Sequence, residues 1–272
     1  MTLVRRRLGT ALLWVGGAAV VGFAVLPLWY MLVLSFDPDP AGSGTGLVPH
    51  AFSLGSYRFL ASSVFGFYPT LARSLLLSVG TTLVSLAVAI PAAYALARLP
   101  VPGRAQILAV MLAFAFFPGI VVLVPMSRIL SDLGWLDRLG GIGLAQLSYT
   151  LPLAVWFLAY AFRAVPVEVE EAARVDGAST FALVWRVVLP VARPGVAGTT
   201  ALVFVASWND FLFSSGLNRS DRSETLPVLL SKLPELGFLG GQMAAAVLMC
   251  LPVAFVVAAM LRWLSRRNDV AR

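Results

Sequence analysis

Apolar residues fall in six long runs separated by mostly short polar segments, at about 8–36, 71–96, 107–129, 142–162, 196–217 and 243–264. A helix needs about 20 predominantly apolar residues to cross about 30 Å of hydrocarbon, and each run meets that length. The pattern predicts six membrane helices. Pro91, Pro118, Pro125, Pro152 and Pro252 interrupt them. Such prolines are tolerated where neighbouring helices, side chains or water satisfy the freed carbonyls, and they predict kinks. The first run follows Arg5, Arg6 and Arg7 and ends in Leu26-Pro27-Leu28-Trp29-Tyr30 with no small-x-small site. It is too long for a signal peptide core and is expected to stay as an uncleaved helix.

Composition supports lipid as the solvent. The 272 residues are 59% hydrophobic and 12% charged, with a mean hydropathy of +0.88. A soluble domain carries roughly 25% charged residues. The net charge of +7 comes from nineteen arginines and one lysine scattered between apolar runs, a placement that records topology and not nucleic-acid binding. With the amino end inside, thirteen basic residues fall on cytoplasmic segments: Arg5, Arg6, Arg7, Arg98, Arg104, Arg163, Arg174, Arg186, Arg193, Arg262, Arg266, Arg267 and Arg272. Seven fall outside: Arg58, Arg73, Arg128, Arg138, Arg219, Arg222 and Lys232. That bias places both termini in the cytoplasm, as an even number of spans requires. Trp29, Tyr30, Tyr68 and Trp263 fit interfacial anchoring. One cysteine, Cys250, and one histidine, His50, leave no disulfide framework and no histidine-based metal or haem site.

The inner loop at about 163–195 stands apart from the rest. Pro166 suits a first helical turn, and Glu168, Glu170 and Glu171 favour the positive end of the helix dipole. Gly177 is a stop signal and Ser179 a cap for a second short helix. That helix carries Phe181, Leu183, Val184 and Val187, with Pro190 expected to end it. The prediction is a compact helix-turn-helix whose small face, Ala172 and Ala173, can sit deep in another protein's groove. Its apolar second helix should lie against the ends of the spans. On helix signals alone, an ordinary amphipathic linker between two spans would read much the same.

Spacing separates the two. Glu171-Ala172-Ala173, three residues, Gly177, nine residues, Val187, one residue and Leu189-Pro190 resembles the EAA loop of permease subunits in binding-protein-dependent ABC importers, with Val187 in place of isoleucine. Asp176-Gly177-Ala178-Ser179 resembles the version found in carbohydrate importers of the maltose-permease type, in the smaller membrane subunit. Trp208-Asn209-Asp210-Phe211 and Glu224-Thr225-Leu226-Pro227-Val228 are similar to the same group. The likeness covers roughly 71–264; the first span and its outer loop match in layout only.

The resemblance implies an all-α, six-span type I importer permease. Residues 1–70 would form the first helix and outer loop, 71–264 the core with its coupling loop, and 265–272 a cytoplasmic tail. Glu171, Ala172, Ala173, Asp176, Gly177, Leu189 and Pro190 would couple to a cytoplasmic ATPase, Glu171 meeting a basic group in its cleft. The implied partners are a second permease subunit, two ATPase copies, an extracytoplasmic solute-binding protein and membrane lipid. The implied cargo is a sugar or oligosaccharide, with glycerol-phosphate, polyamine or another organic solute as the alternative. The chain has no Gly-x4-Gly-Lys-Ser/Thr sequence, so ATP and Mg would belong to the partner and no cofactor to this chain. Polar residues at membrane depth are expected to line a pathway or join helices: Asn209 and Asp210 in span five, with Gln146, Ser148, Tyr149 and Thr150 in span four. An arginine near the outer end is a possible partner for Asp210. A membrane-embedded enzyme would need clustered His, Asp, Glu, Ser or Cys in the spans. A channel or secondary transporter would leave the 171–190 pattern without a role.

Overall fold

The structure, a computed structural model, describes residues 2–40, 42, 46, 48, 50–62, 66–220 and 222–268. Arg272 and the end of the 265–272 tail lie outside the described residues. Most of the described residues are helical, and none of them lies in a strand. Thirteen α-helical segments follow in order: α1 (Thr2–Phe36), α2 (Gly55–Ala61), α3 (Phe67–Arg98), α4 (Arg104–Ala115), α5 (Gly119–Asp132), α6 (Leu139–Arg163), α7 (Val167–Val175), α8 (Thr180–Ala182), α9 (Leu189–Val191), α10 (Arg193–Trp208), α11 (Leu212–Leu217), α12 (Leu226–Lys232) and α13 (Leu239–Asn268). A π-helical turn joins α8 to α9, and a 3₁₀ turn follows α12.

Among the described residues four stretches are long and apolar enough to cross a membrane: Leu13–Phe36, Phe67–Arg98, Leu139–Arg163 and Leu239–Ser265. Two bent pairs raise the number to six if each is one span, α4 with α5 at 87° and Thr180–Val191 with α10 at 86°. The third apolar run is therefore no continuous kinked helix. It breaks at Phe116 and Phe117, ahead of Pro118. Pro91, Pro152 and Pro252, by contrast, stay inside unbroken helices.

The chain divides into two compact units. One holds residues 1–67 and 230–251. Here Phe36 stacks on Phe52 with ring centroids 4.7 Å apart. Ser35 Oγ lies 2.8 Å from Tyr57 Oη, and His50 Nδ1 lies 3.6 Å from Asp37. The polar-loop histidine is thus tied to the end of α1. Leu13, Trp14 and Phe23 of α1 are exposed. An apolar helix without a polar face needs lipid or a partner around it.

The second unit holds residues 68–229 and 252–272. Its larger core lies towards the carboxyl ends of α3 and α6, where Ala93, Leu158 and Phe162 pack with Leu183 and Val188 of the inner loop. A smaller core joins Leu77, Leu130, Ile142, Phe213 and Leu217. Helices α3 and α6 are also held by polar contacts, Thr81 Oγ1 donating to Gln146 at 3.3 Å and Ser85 meeting Thr150 at 3.0 Å. Small hydroxyls let membrane helices approach closely and bond across the interface.

Candidate functional site

The inner loop folds as its local signals direct. Pro166 caps α7, Glu168 and Glu170 occupy its first turn, and Arg174 its last. The acids face the positive end of the helix dipole and the arginine the negative end. At the carboxyl end Gly177 takes φ +84°. Its N–H donates to Arg174 O at 3.0 Å, and the Ala178 N–H donates to Ala173 O at 3.0 Å. This is a Schellman cap, in which a left-handed residue four positions after Ala173 satisfies the last free carbonyls. The spacing between the alanine pair and Gly177 thus has a direct backbone cause. Ser179 Oγ then accepts from the Ala182 N–H at 3.3 Å and starts the second helix.

The second helix does not end at Pro190. It runs on through α9 to Val191, widened into a π-helical turn over Leu183–Val188. Proline has no N–H and its ring crowds the carbonyl four residues back, and a widened turn relieves both. The chain bends at Ala192, and Pro194 sits in the first turn of α10, where no donor is missed. Leu183, Val184 and Val188 are buried against the ends of the spans. Phe181, expected on the same apolar face, is 74% exposed.

Glu170 and Glu171 point to different fates. Glu171, Ala172, Asp176 and Gly177 are exposed, Ala173, Leu189 and Pro190 half-buried. Val175 is 88% exposed. Glu170 is buried at 3%. Its Oε1 lies 2.6 Å from Arg98 Nε, an ion contact rather than an aligned hydrogen bond. Its Oε2 accepts from Tyr94 Oη at 3.3 Å. Arg98 Nη2 also donates to Val165 O at 2.5 Å, and Arg163 Nη2 to Leu96 O at 3.5 Å. The carboxyl end of α3 is therefore stitched to both ends of the α6–α7 connection. Sequence reasoning missed Glu170, Arg98 and Tyr94 as one cluster. The available signal was the three-residue spacing of Glu170 and Ala173, which puts both on one helix face.

The polar span residues converge in part. Gln146 is fully buried. Its Oε1 accepts from Ser207 Oγ at 2.5 Å and from Thr81, and its Nε2 donates to Asp210 Oδ2 at 3.1 Å and Ser207 O at 3.4 Å. Asp210 accepts from the Phe213 N–H at 3.3 Å and from the N–H and hydroxyl of Ser214, both at 3.0 Å. Its carboxylate thus caps α11 across the break after α10. No basic side chain pairs with it among the described residues, so the expected arginine is not its partner. Tyr149 donates to Ala206 O at 3.3 Å and stacks on Phe213. Thr150 bonds to Gln146 O, and Asn209 is exposed on the turn. A cavity of about 250 Å³ lies where this break meets the one between α4 and α5, lined by Phe117, Ser148, Tyr149, Asp210 and Phe213 among others. Irregular backbone at membrane depth is tolerated where it is buried or lines such a cavity. Gly119 permits the approach, since a Cβ there would come within 2.8 Å of Leu212.

Asp137, in the α5–α6 turn, is a further anchor that the sequence did not single out. It takes φ +59° and accepts from the Arg219 and Ser220 N–H groups at 3.0 and 3.1 Å and from the Ser220 and Ser223 hydroxyls. Desolvation pushes its carboxyl up, but the hydroxyl and amide donors outweigh it and hold the group well below the usual carboxylate range.

Residues 85–270 match the family of binding-protein-dependent transport system inner membrane components. The chain belongs to that family. The permease is 30% identical over 250 residues to the trehalose/maltose transport system permease protein of Thermococcus litoralis, covering 90% of each chain. It is 32% identical over 212 residues to the trehalose transport system permease protein of Mycobacterium tuberculosis, covering 78% of the permease and 77% of that protein. A bacterial ABC transporter involved in import of the acidic polysaccharide alginate superposes with a TM-score of 0.75 at 22% identity, over 94% of the permease and 96% of that chain. At that identity the likeness concerns the fold alone.

Proposed function

We propose that the permease is the membrane-spanning subunit of an ATP-driven importer, crossing the membrane six times with both ends in the cytoplasm. A binding protein outside delivers a sugar or oligosaccharide, a second permease subunit completes the pathway, and two ATPase copies bind beneath. Relatives named for trehalose, maltose, alpha-glucosides and diacetylchitobiose support the cargo class. The observation that carries the coupling role is the exposed edge of the inner loop. Glu171, Ala172, Val175 and Phe181 are uncovered, while the opposite face is fixed by the Arg98–Glu170 contact and the buried Leu183 and Val188. Large apolar side chains left bare on a polar loop mark a contact with another protein. A rigidly held helix can transmit the closing motion of an ATPase dimer, with Glu171 paired to a basic group in its cleft.

Along the pathway, Tyr149 and Asp210 line the cavity at the break after α10 and Asn209 is exposed on the turn, which makes these three the candidates for contact with a sugar. Gln146 has all its donors and acceptors engaged and serves as a strut between α3, α6 and α10. Glu171→Lys is expected to insert normally but to lose the ATPase in pull-downs, or to hydrolyse ATP without uptake. Wild-type sugar uptake by that variant at normal expression refutes the coupling role.

A further inference from the structure

A trough of about 300 Å³ runs between α3, α10 and α13, walled by Leu83, Phe204, Val256 and Met260. Almost no polar atom faces it. A second recess of about 260 Å³ is lined by Ala258, Arg262 and Trp263. Phe255 and Ala259 line both, so the two recesses adjoin along α13. The trough is apolar, and the recess beside it carries Arg262. Arg193, which starts α10, places its guanidinium 5.7 Å from the Trp263 ring centroid. Among the described residues neither Arg193 nor Arg262 is paired with a carboxylate.

We infer that these adjoining recesses bind an anionic phospholipid, its phosphate between Arg193 and Arg262 and an acyl chain in the trough beyond Ala259. Depth agrees with the chemistry. Ala259 precedes Arg262 by one helical turn, about 5 Å along α13, so the apolar part lies deeper in the bilayer than the arginines. Trp263 has the side chain that settles at head-group level. An arginine fork matches phosphate oxygens, and basic pockets between membrane helices suit acidic head groups. A helix of a partner subunit could also fill an apolar trough, but an apolar helix would leave two guanidinium groups without counter-charge. The six-span reading enters only in naming the inner leaflet as the source.

Native mass spectrometry of the permease, purified with its co-purifying subunits and titrated with phosphatidylglycerol or phosphatidylcholine, tests the site. Two arginines near an anionic head group favour phosphatidylglycerol by about 30-fold. Arg193→Ala with Arg262→Ala should abolish that preference. Ala259→Phe should lower retention of both lipids while keeping their ratio, and millimolar inorganic phosphate should not displace the lipid. Equal retention of the two lipids by the wild type, an unchanged preference in the double variant, or displacement by phosphate alone overturns the proposal. So does quantitative cross-linking of Ala259→Cys to a partner subunit. Glu171→Lys should retain lipid as the wild type does, so failure of the coupling reading is distinguishable from failure of this one.

Discussion

Removing the Glu170 carboxylate leaves the Arg98 guanidinium buried without its counter-charge. Breaking a buried pair costs about 3–5 kcal/mol, whereas replacing both partners by apolar residues is often neutral. Glu170→Ala is therefore expected to lower the unfolding midpoint in mild detergent, and Arg98→Met with Glu170→Leu to recover most of the loss. If the double variant is as unstable as the single one, the pair is not what holds α7 to α3. The neighbouring Glu171 is exposed, and its removal should leave the midpoint unchanged. One position along a helix turns a side chain by about 100°, which separates the internal anchor from the external contact. That distinction was not legible in the run Glu168-Val169-Glu170-Glu171. Burial of a charge depends on its partner, and Arg98 is 72 positions away and reads in sequence only as a topology signal.

The helix-turn-helix of the inner loop was legible because its determinants are local: Pro166 before the helix, a left-handed glycine after it, and a serine cap within the next three residues. Gly177→Val forces a branched side chain into φ +84°, a penalty of roughly 1–2 kcal/mol for an L-residue in that region. It should also reorient the exposed Glu171 edge, so the ATPase pull-down should fall more for valine than for asparagine, which tolerates that region. A kink at Pro118 was legible, but a full break between α4 and α5 was not. Phe116-Phe117-Pro118-Gly119 is as apolar as any span, and the bend is held by tertiary contact of Gly119 with Leu212 and Phe213. The widened turn ahead of Pro190 is of the same kind, since a proline by itself predicts only a stop. The Asp137 turn, with its polar partners more than 80 positions away, makes a prediction outside the spans. Its folded carboxyl titrates well below the unfolded value of about 3.9. Its stabilisation is therefore complete above that value and is lost only as pH falls through the lower folded one. Protection of the Arg219 and Ser220 amides from hydrogen exchange should stay constant from pH 8 to pH 5 in the wild type and collapse in Asp137→Ala.

At the scale of the whole chain, two topologies use the same helices. If the α4–α5 pair and α10 each carry the chain across the membrane, there are six spans. If both are re-entrant, only α1, α3, α6 and α13 cross. Starting from a cytoplasmic amino end, α3 returns the chain to the cytoplasm in either case. With six spans, α4 and α5 carry it out and α6 carries it back, so α7 lies inside. With four, α6 carries it out and α7 faces the exterior, where no ATPase could reach Glu171. Length is compatible with crossing: α4 has 12 residues and α5 14, about 18 and 21 Å of helix, and with the 87° bend between them the pair reaches about 28 Å end to end, close to the roughly 30 Å of hydrocarbon that neither covers singly. The thirteen-to-seven split of basic residues also belongs to the six-span case, because re-entrant pairs would move Arg163, Arg174, Arg186 and Arg193 outside and Arg128 and Arg138 inside, leaving eleven against nine. A single-cysteine experiment decides between them. In a Cys250→Ser background, Ser179→Cys should resist a membrane-impermeant maleimide in intact cells and react after permeabilisation. Arg222→Cys should react in both. Labelling of position 179 from outside would exclude the six-span topology, and the coupling role with it.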